Sequence, residues 1–379
     1  MCKIFHAIAS CDSWGMIRGG GTIMKVKLAV MGIVLMLASQ CVGQGHTFIE
    51  FDPPGSVSTV AIAINSSGQI AGYYEDSAST AHGFLRDTSG SITTFDVPGA
   101  ATGNGTGTGT QALNDAGEIV GYYNPSAAPT ENEGFTRDAS GNFTVVQVAG
   151  YTTTQVFSVN NGGQIAGCTT QTDYCSSDAS SGTVGFVTNL SGDAVTFSPS
   201  GADAVIPLSI NKGGSVAGFY SATDGSHGFV RGPGGGITEF DPPNTFSEPG
   251  AGAYPFAIND SGLVVGYYWD NAIPYQIRGF SRTARGVITA FDAPGTTPDT
   301  YPTSVNAAGT IVGWFVVPGA QYAKWGAFVR EPSGTITEFE APGADVQKNG
   351  TIAYSINAAG QIAGSYYDSA GILHGFLRN

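Results

Sequence analysis

Residues 58–99 contain four short runs of strand-forming residues, and this stretch decides how the chain folds. The runs read STVAIAIN (58–65), QIAGYYED (69–76), AHGFLRD (81–87) and SITTFDVPG (91–99). Val, Ile, Thr, Tyr and Phe dominate them, and Asn, Ser and Gly separate them, which is typical of antiparallel strands joined by tight turns. One such sheet has two apolar faces, so it needs a neighbour on each side.

The same unit recurs along the chain at intervals of 46 to 51 residues. A Gly follows the Asn that ends each first run by three residues, and a second Gly comes four residues later. No helical hydrophobic period persists after residue 45, so the repeats predict an all-β chain of stacked units. The aligned residues are Asn65, Asn114, Asn160, Asn211, Asn259, Asn306 and Asn357.

The last repeat lacks a fourth strand, because the chain stops after Gly375-Phe376-Leu377-Arg378-Asn379. A matching segment, FIEFDPPG (48–55), precedes the first repeat instead. This permutation is what a closed ring requires, because a strand from the start of the chain completes the final sheet. We therefore predict a single seven-bladed β-propeller over residues 47–379, with four-stranded blades and with residues 47–54 completing the last blade. A β-solenoid or two smaller sheets are the alternatives.

The repeat motifs resemble those of the HAF group of bacterial extracellular repeats. The shared pattern is Asn-x-x-Gly-x-Ile/Val-x-Gly followed by His-Gly-Phe-Leu-Arg, and it covers residues 47–379. The chain has Gly where the name of the group implies Ala, as in His82-Gly83-Phe84. The resemblance implies export and a repeat fold, and it brings no established reaction.

The amino-terminal segment has the pattern of a secretory signal. Met24-Lys25-Val26-Lys27 precedes an apolar run, LAVMGIVLMLA (28–38), which is short for a membrane span. We predict a signal peptide over residues 24–43, an unused upstream start over residues 1–23, and a secreted or periplasmic protein. Gln40 before Cys41 departs from a lipidation box, so we do not expect a lipid anchor.

Charge and cysteine content narrow the possible partners. The chain has 15 basic and 29 acidic residues, of which residues 1–43 hold four and one, so the remainder carries a net charge of −17. Such a surface repels nucleic acid and anionic membranes.

Cys168 and Cys175 are the two cysteines beyond residue 43, and in an exported protein we expect them to form a disulfide. No cofactor motif is present, and we expect a monomer.

Several residue types recur at the same position in many repeats, so they indicate a structural role and not a single functional site. Asn-x-x-Gly is expected to form a turn that the Asn side chain caps and in which Gly takes a positive φ. His82, His227 and His374 occupy one position in different repeats, so they predict a structural role and no metal site. The Arg two residues after each Phe is expected to pair with carboxylates such as Asp96 or to reach solvent.

Connections between repeats place candidate ligand-binding residues on one face of the ring. The turns after the first and third strands are uniform, whereas the other loops differ in every repeat, and function concentrates in such loops. Packing between blades is the alternative role for each ring. The candidates are Trp269, Tyr275, Trp314, Tyr322, Trp325 and Tyr367, with Asp76, Asp270 and Asp368 beside them.

Three functions compete at this stage. The sequence favours a non-enzymatic exported module that binds a carbohydrate, a peptide or a cell-surface partner. A hydrolase or lyase acting on polysaccharide is the second hypothesis, since acidic pairs on a propeller can perform acid and base catalysis. A structural surface or matrix component is the third. No nucleophile elbow, paired-His metal motif or phosphate loop is present in the sequence.

Overall fold

A computed structural model of the chain describes residues 46–379 apart from 104, 129, 173, 176–181, 190–192, 273–275, 296–298, 318–323 and 346–349. His46–Asn379 forms one compact unit. Every secondary-structure element of the described residues is a β-strand, which confirms the predicted all-β chain of four-stranded sheets. The predicted signal peptide and upstream segment lie outside the described residues. Within the described ranges, no helix has the length and hydrophobicity needed to cross a bilayer.

The described residues form 28 strands, numbered here in chain order. The first fourteen are β1 (Phe48–Phe51), β2 (Ser58–Ile64), β3 (Ile70–Glu75), β4 (Ala81–Arg86), β5 (Ile92–Phe95), β6 (Thr108–Leu113), β7 (Ile119–Tyr123), β8 (Glu133–Arg137), β9 (Phe143–Val146), β10 (Thr153–Val159), β11 (Gln164–Thr170), β12 (Val184–Asn189), β13 (Val195–Phe197) and β14 (Ala204–Ile210). The remainder are β15 (Val216–Ala222), β16 (Gly225–Arg231), β17 (Ile237–Phe240), β18 (Ala253–Ile258), β19 (Val264–Asp270), β20 (Gln276–Arg282), β21 (Ile288–Phe291), β22 (Asp299–Val305), β23 (Ile311–Val317), β24 (Lys324–Arg330), β25 (Ile336–Phe339), β26 (Thr351–Ile356), β27 (Ile362–Tyr367) and β28 (Leu373–Arg378).

Each repeat is an antiparallel sheet whose strands follow one another in chain order. Five four-stranded sheets comprise β6–β9, β10–β13, β14–β17, β18–β21 and β22–β25. The other eight strands form one sheet, in which β26–β28 and β2–β5 make a continuous path and β28 meets β2 at a single parallel pair, Ser58 with Leu373. β1 pairs with β28 over four residues, from Phe48 opposite Arg378 to Phe51 opposite Gly375.

The Asn-x-x-Gly turns have the predicted conformation. In the first turn the Asn65 Oδ1 accepts a hydrogen bond from the Gln69 amide at 3.0 Å, and Gly68 has a φ of 90°. The Asn side chains also join neighbouring repeats, because each Nδ2 donates to the main-chain oxygen of the next aligned Asn at 2.9–3.3 Å. The series runs from Asn65 through Asn114, Asn160, Asn211, Asn259 and Asn306 to Asn357, whose Nδ2 donates to the Asn65 oxygen.

The Gly-Phe motif supplies the core of each sheet. Phe84 and its six equivalents are almost completely buried. A Cβ at Gly83 would lie 2.2 Å from the ring of Phe95, so only Gly permits the fourth strand to place an aromatic ring there. The buried equivalents of Phe84 are Phe135, Phe186, Phe229, Phe280, Phe328 and Phe376.

The repeated arginines stack on aromatic rings, so their predicted pairing with carboxylates is wrong. The Arg86 guanidinium carbon lies 5.1 Å from the Phe51 ring centroid, and five further pairs at 4.6–5.1 Å repeat the arrangement. Each Phe lies on a strand that pairs with the third strand of a neighbouring repeat, as β1 pairs with β28, so the contact joins two repeats. Asp96, the proposed partner, lies instead 2.9 Å from the Nδ1 of His82.

Antiparallel pairing sorts the connections onto two faces. We call the end that carries the Asn-x-x-Gly turns and the turns after each third strand the turn face, and we call the opposite end the loop face. On the turn face adjacent repeats are bonded directly, as where the Ser66 amide donates to Asp115 Oδ1 at 2.8 Å. The loop face carries the connections that differ between repeats.

Candidate functional site

Every first strand of a repeat contains a shift in register three residues before its Asn. In β2, for example, Ala61 lies opposite Gly72 and Ala63 opposite Ala71, so Ile62 has no opposite residue. Such a β-bulge turns one side chain out of the regular alternation. The bulged residues are Ile62, Gln111, Phe157, Leu208, Phe256, Thr303 and Tyr354.

All seven bulged residues line one cavity of about 430 Å³. Tyr267, Tyr301, Pro302 and Trp314 complete its wall. Because each repeat contributes one residue, the first strands of all seven repeats face this common space. The volume lies in the range of pockets that hold small organic ligands.

Aromatic side chains from two successive sheets, β18–β21 and β22–β25, form a ladder along one side of the cavity. Tyr301 and Trp314 are cross-strand neighbours whose rings stack at 4.1 Å and 10°. Trp314 stacks on Trp325 at 5.1 Å, and the Tyr301 ring meets Tyr267 edge-on at 5.1 Å. Tyr254 stacks on Tyr267 at 5.0 Å and extends the ladder. These contacts hold the rings rigidly, so the cavity wall is preorganised.

The wall of the cavity is uncharged. Burial raises the pKa of Tyr267 and, with a smaller contribution from Asp299, raises the pKa of Tyr301 to about 12. Burial also raises the pKa of Tyr354, so all three phenols are protonated near neutral pH. Within the described chain their hydroxyls and the Gln111 side chain have no hydrogen-bonding partner, and they remain available to a ligand. This chemistry suits a neutral molecule with apolar faces and hydroxyl groups.

The structure places part of the predicted aromatic set at this cavity. Trp314 lines it, and Trp325 stacks on Trp314. Trp269 and Tyr367 are half-buried near the loop-face ends of β19 and β27 and are not among the lining residues. Tyr275 and Tyr322 lie outside the described residues.

The predicted carboxylates are engaged within their own sheets and do not converge. Asp76 accepts hydrogen bonds from the amides of Ala78 and Thr80, and its Oδ2 lies 3.3 Å from the Nε2 of His82. Asp368 caps the corresponding turn before β28 and lies 3.6 Å from His374. They therefore act as turn caps that also contact a histidine of the third strand.

Asp270 also contacts a basic residue of the third strand, but its partner is Arg278 where Asp76 and Asp368 have a histidine. It is buried, and its Oδ2 accepts hydrogen bonds from Tyr268 and from Arg278 at 3.1 and 3.2 Å. Arg278 also forms a bidentate pair with Asp292 at 2.8 Å. We call this arrangement a brace: a basic side chain on the third strand of a repeat between a turn carboxylate and a carboxylate that follows the fourth strand. The four braces centre on His82, His227, Arg278 and His374.

One brace has the residue types of a metal site. Ligand atoms of Glu50, Asp52 and His374 lie within 4.8 Å of one another. These groups already contact protein partners, since the His374 Nδ1 lies 2.6 Å from Asp52 and the Tyr366 hydroxyl donates to Glu50. The geometry is that of a hydrogen-bonded structural cluster.

Cys168 and Cys175 form the predicted disulfide, with their Cα atoms 6.2 Å apart. Cys168 directly follows the second Gly of its repeat, the position that Tyr267 and Trp314 hold in theirs. The bond therefore attaches the connection after β11 to a strand next to the cavity.

Sequence reasoning missed the bulged residues. The sequence analysis placed the ligand on the variable loops and named no residue of the first strands as a candidate. The signal was present in the repeat alignment, where the position three residues before the Asn holds Ile, Gln, Phe, Leu, Phe, Thr and Tyr, although the flanking positions are uniformly small or apolar. That variety at one position of a regular strand marks a side chain whose environment differs from that of the core.

Comparisons with known proteins show similarity of fold. No protein-family model matches the chain, and no curated protein matches it by sequence. A catalytically inactive virginiamycin B lyase from Staphylococcus aureus with quinupristin is similar at 14% identity and a TM-score of 0.56, covering 88% of this chain and 99% of that one. The selenomethionine form of the same lyase has 12% identity, a TM-score of 0.57 and the same coverage.

A longer protein of known structure is matched along about half of its own length. Uncomplexed Pyrococcus horikoshii acylaminoacyl peptidase has 8% identity and a TM-score of 0.54, covering 86% of this chain and 51% of that one. At such identities these similarities concern the fold alone. The chain is therefore all-β with four-stranded sheets and with propeller-like structural neighbours.

Proposed function

We propose that this protein is an exported binding module, a closed seven-bladed β-propeller whose cavity takes a neutral carbohydrate. The observation that carries the binding role is the uncharged aromatic cavity, to which every repeat contributes a bulged residue. Membership of the HAF-type repeat group is part of the proposal and rests on the repeat motifs.

Two sets of contacts support seven blades in a closed ring. The Asn hydrogen bonds pass through seven aligned residues and return from Asn357 to Asn65. The second strand of each repeat packs on the first strand of the next, and β27 of the last repeat packs on β2 of the first. The pairing of β1 with β28 supplies the fourth strand that the last repeat lacks.

The cavity chemistry favours a neutral glycan over a peptide. Sugars combine apolar C–H faces with hydroxyl groups, and the wall offers aromatic surface together with the free hydroxyls of Tyr267, Tyr301 and Tyr354. A charged peptide terminus or side chain would lose its hydration without finding a counter-charge among the described lining residues, which is costly. The free amide of Gln111 adds both a donor and an acceptor.

The geometry supports binding more than turnover. General acid and base catalysis requires titratable groups within hydrogen-bond reach of the reacting atoms. Among the described lining residues of the cavity there is no carboxylate or imidazole. The predicted carboxylates Asp76, Asp270 and Asp368 are held in separate braces.

Export is supported by the signal-like residues 24–43 and by the Cys168–Cys175 disulfide, since disulfides persist in oxidising compartments. The strongly acidic chain beyond residue 43 fits a soluble protein outside the cytoplasm. Sequencing the amino terminus of the exported protein tests this part of the proposal, and a mature chain that begins before residue 30 would contradict it.

The ligand is tested by thermal unfolding of residues 44–379 with neutral oligosaccharides, uronate-containing oligosaccharides and peptides. A ligand at about 100 times its dissociation constant adds nearly 3 kcal/mol to the free energy of unfolding. We expect the midpoint to rise with one class of neutral sugar. A rise with peptides alone would replace the carbohydrate proposal by peptide binding, and no rise with any class would contradict a small-molecule site.

A matched pair of tryptophans locates the site. Trp314→Ala removes a ring of the cavity wall and should abolish the ligand-induced rise in the midpoint. Trp269→Ala removes the same residue type from the neighbouring sheet at a half-buried position outside the lining, and it should preserve that rise. Equal loss of binding in both variants would place the ligand elsewhere.

A further inference from the structure

The attachment of β1 differs from that of every other fourth strand. β5, β9, β13, β17, β21 and β25 each follow their third strand in the chain, so a turn keeps each of them beside its partner. β1 reaches β28 from the opposite end of the chain, and only non-covalent contacts hold it there. These include four residue pairs, the packing of Phe48 on Phe339 and Phe376, and the amide of Asn379 donating to the Thr47 oxygen at 2.9 Å.

One of the four braces spans this non-covalent junction. His374 lies on β28, and its Nδ1 is 2.6 Å from the Oδ2 of Asp52, which follows β1. Its Nε2 is 3.6 Å from Asp368, which precedes β28. A neutral imidazole carries one N–H, so only the protonated ring presents a donor to both carboxylates.

The groups around His374 are acidic on each side. Asp52 and Glu50 face it from β1 and its continuation, and Asp368 faces it from the turn. The Tyr366 ring of β27 lies 5.4 Å from the imidazole, and its hydroxyl donates to Glu50. Three carboxylates therefore surround one imidazole, and loss of its proton leaves them facing each other without a cation.

We propose that His374 and Asp52 form an acid-strengthened clasp that holds β1 on β28, so that the closing strand is attached most firmly at mildly acidic pH. Protonated His374 joins the two ends of the chain by a charge-assisted hydrogen bond. When the imidazole loses its proton, the bond to Asp52 keeps only the charge of its acceptor and loses the ion-pair attraction, and the contact with Asp368 loses its attraction. The strand then detaches more often.

The direction of the effect follows from linkage. Burial lowers the pKa of His374, but the hydrogen bond and charge of Asp52, with Glu50 and Asp368, outweigh it and raise the pKa above its ordinary value. The clasp is therefore complete below the unfolded-state pKa of about 6.5 and is lost as the pH rises through the higher folded-state pKa. Each unit by which the pKa is raised corresponds to about a tenfold change in the attachment equilibrium.

Hydrogen exchange of the full chain tests the clasp. Protection of the β1 amides is measured between pH 5.5 and 8.5 and corrected with an unstructured peptide of the same sequence. We expect it to fall by about three- to tenfold across this range, because the clasp is lost as His374 gives up its proton. Protection of β27 serves as the internal reference and should change by a smaller factor.

Variants at position 374 make the test specific. His374→Gln should give low β1 protection at every pH, and His374→Arg should give high protection at every pH, as Arg278 forms the corresponding brace in its own sheet. His227→Gln removes an equivalent brace between covalently connected strands and should leave the β1 profile unchanged. His46→Gln should also leave it unchanged, although His46 Nδ1 lies 3.0 Å from the Asn379 oxygen.

Three results would overturn the clasp. One is pH-independent protection of β1 in the natural sequence, and another is an unchanged pH profile in His374→Arg. The third is a loss of protection that is equal in β1 and β27, because that would mean that the whole domain and not the closing strand responds. Should His374→Gln fail to fold, Asp52→Asn removes the opposite charge of the same pair with a smaller change of shape, and it should lower β1 protection at pH 5.5.

Discussion

Two positions on the same strand, three residues apart, behave in opposite ways across the repeats. The Asn at the turn-face end is the same in all seven copies, and its side chain bonds both its own turn and the next repeat. The bulged residue before it takes six identities in seven copies, and every copy faces the cavity. The Asn is constrained because backbone groups depend on its side chain for hydrogen bonds. The bulged residue borders the cavity, where no backbone group depends on it.

This difference separates what folds the chain from what a ligand would contact. A buried amide or carbonyl that loses its partner is destabilising, so the Asn positions tolerate little change. A side chain facing a cavity has no such obligation, and its identity is free to follow the ligand. Recurrence across repeats therefore marks structure in this protein, and variety at a fixed register marks the candidate site.

β1 pairs with β28 of the last repeat and carries two packed Phe rings, so removing residues 47–54 should produce the largest effect. Phe51 is buried beneath Arg86, and Phe48 packs on two further rings. Loss of a core Phe side chain costs about 3–5 kcal/mol, and total stabilities are about 5–15 kcal/mol. We expect the truncated chain to lose its cooperative unfolding transition, as measured by circular dichroism on heating.

A point substitution on the same strand gives the control. Ile49 is 40% exposed, and Ile49→Ala should change stability by less than about 0.5 kcal/mol. An unchanged unfolding midpoint after removal of residues 47–54 would show that β1 does not close the ring.

The amide side chains of Gln111, in β6, and of Asn114, which directly follows β6, test the comparison more closely. Asn114 Oδ1 accepts from the amides of Ala116 and Glu118, and its Nδ2 donates to the Asn160 oxygen. Gln111 lies three residues earlier and faces the cavity. Asn114→Ala should cost about 1–3 kcal/mol of unfolding free energy, because it leaves buried groups unpaired. Gln111→Ala should cost less than about 0.5 kcal/mol in the same denaturant titration.

The effects of these two variants on ligand binding should be reversed. Once the carbohydrate panel identifies a ligand, Gln111→Ala should weaken its binding by about 0.5–1.5 kcal/mol, the net value of one hydrogen bond. Asn114→Ala should bind normally at a temperature where it is folded. Similar costs in both stability and binding for the two variants would contradict the division into structural and ligand-facing positions.

The sequence predicted those parts of the structure that depend on local chemistry. Asn-x-x-Gly specified the turn through the cap and the positive φ. The pair Cys168 and Cys175 specified the disulfide through their short separation. Each of these features depends on residues that are adjacent in the chain or on neighbouring strands.

What the sequence did not predict depends on contacts between repeats. We expected Arg86 to pair with a carboxylate, but it stacks on Phe51. Phe51 is 35 residues earlier in the chain and pairs with the last repeat, so the sequence around Arg86 does not reveal this contact. The bulge at Ile62 was hidden because Val60 to Ile64 is continuously apolar, so no change of phase is visible in the pattern. The cavity depends on seven such bulges meeting, which only the arrangement of the sheets reveals.

The braces are intermediate between the uniform Asn positions and the variable bulged positions, because a brace recurs at one place in the repeat but its basic residue is His or Arg. Substitutions in the braces should change stability least. His227 is held by Asp241 at 2.8 Å and Asp224 at 3.2 Å, whereas Arg278 fills the same place in the next sheet. Burial lowers the pKa of His227, but its two carboxylates outweigh this and raise the pKa above the ordinary value. Its stabilisation is thus present below about pH 6.5 and lost as the pH rises through the folded-state pKa.

Exchanging the two cations should move this pH dependence from one sheet to the other. Arg278→His should cost about 1 kcal/mol or less at pH 8.5 and recover part of it at pH 5.5, as for partly exposed ion pairs. His227→Arg should make its own brace insensitive to pH over the same range, because arginine stays charged. Denaturant titrations of both variants at the two pH values measure the change. If Arg278→His were equally destabilised at both, the bidentate geometry of the arginine rather than its charge would be what Asp270 and Asp292 require.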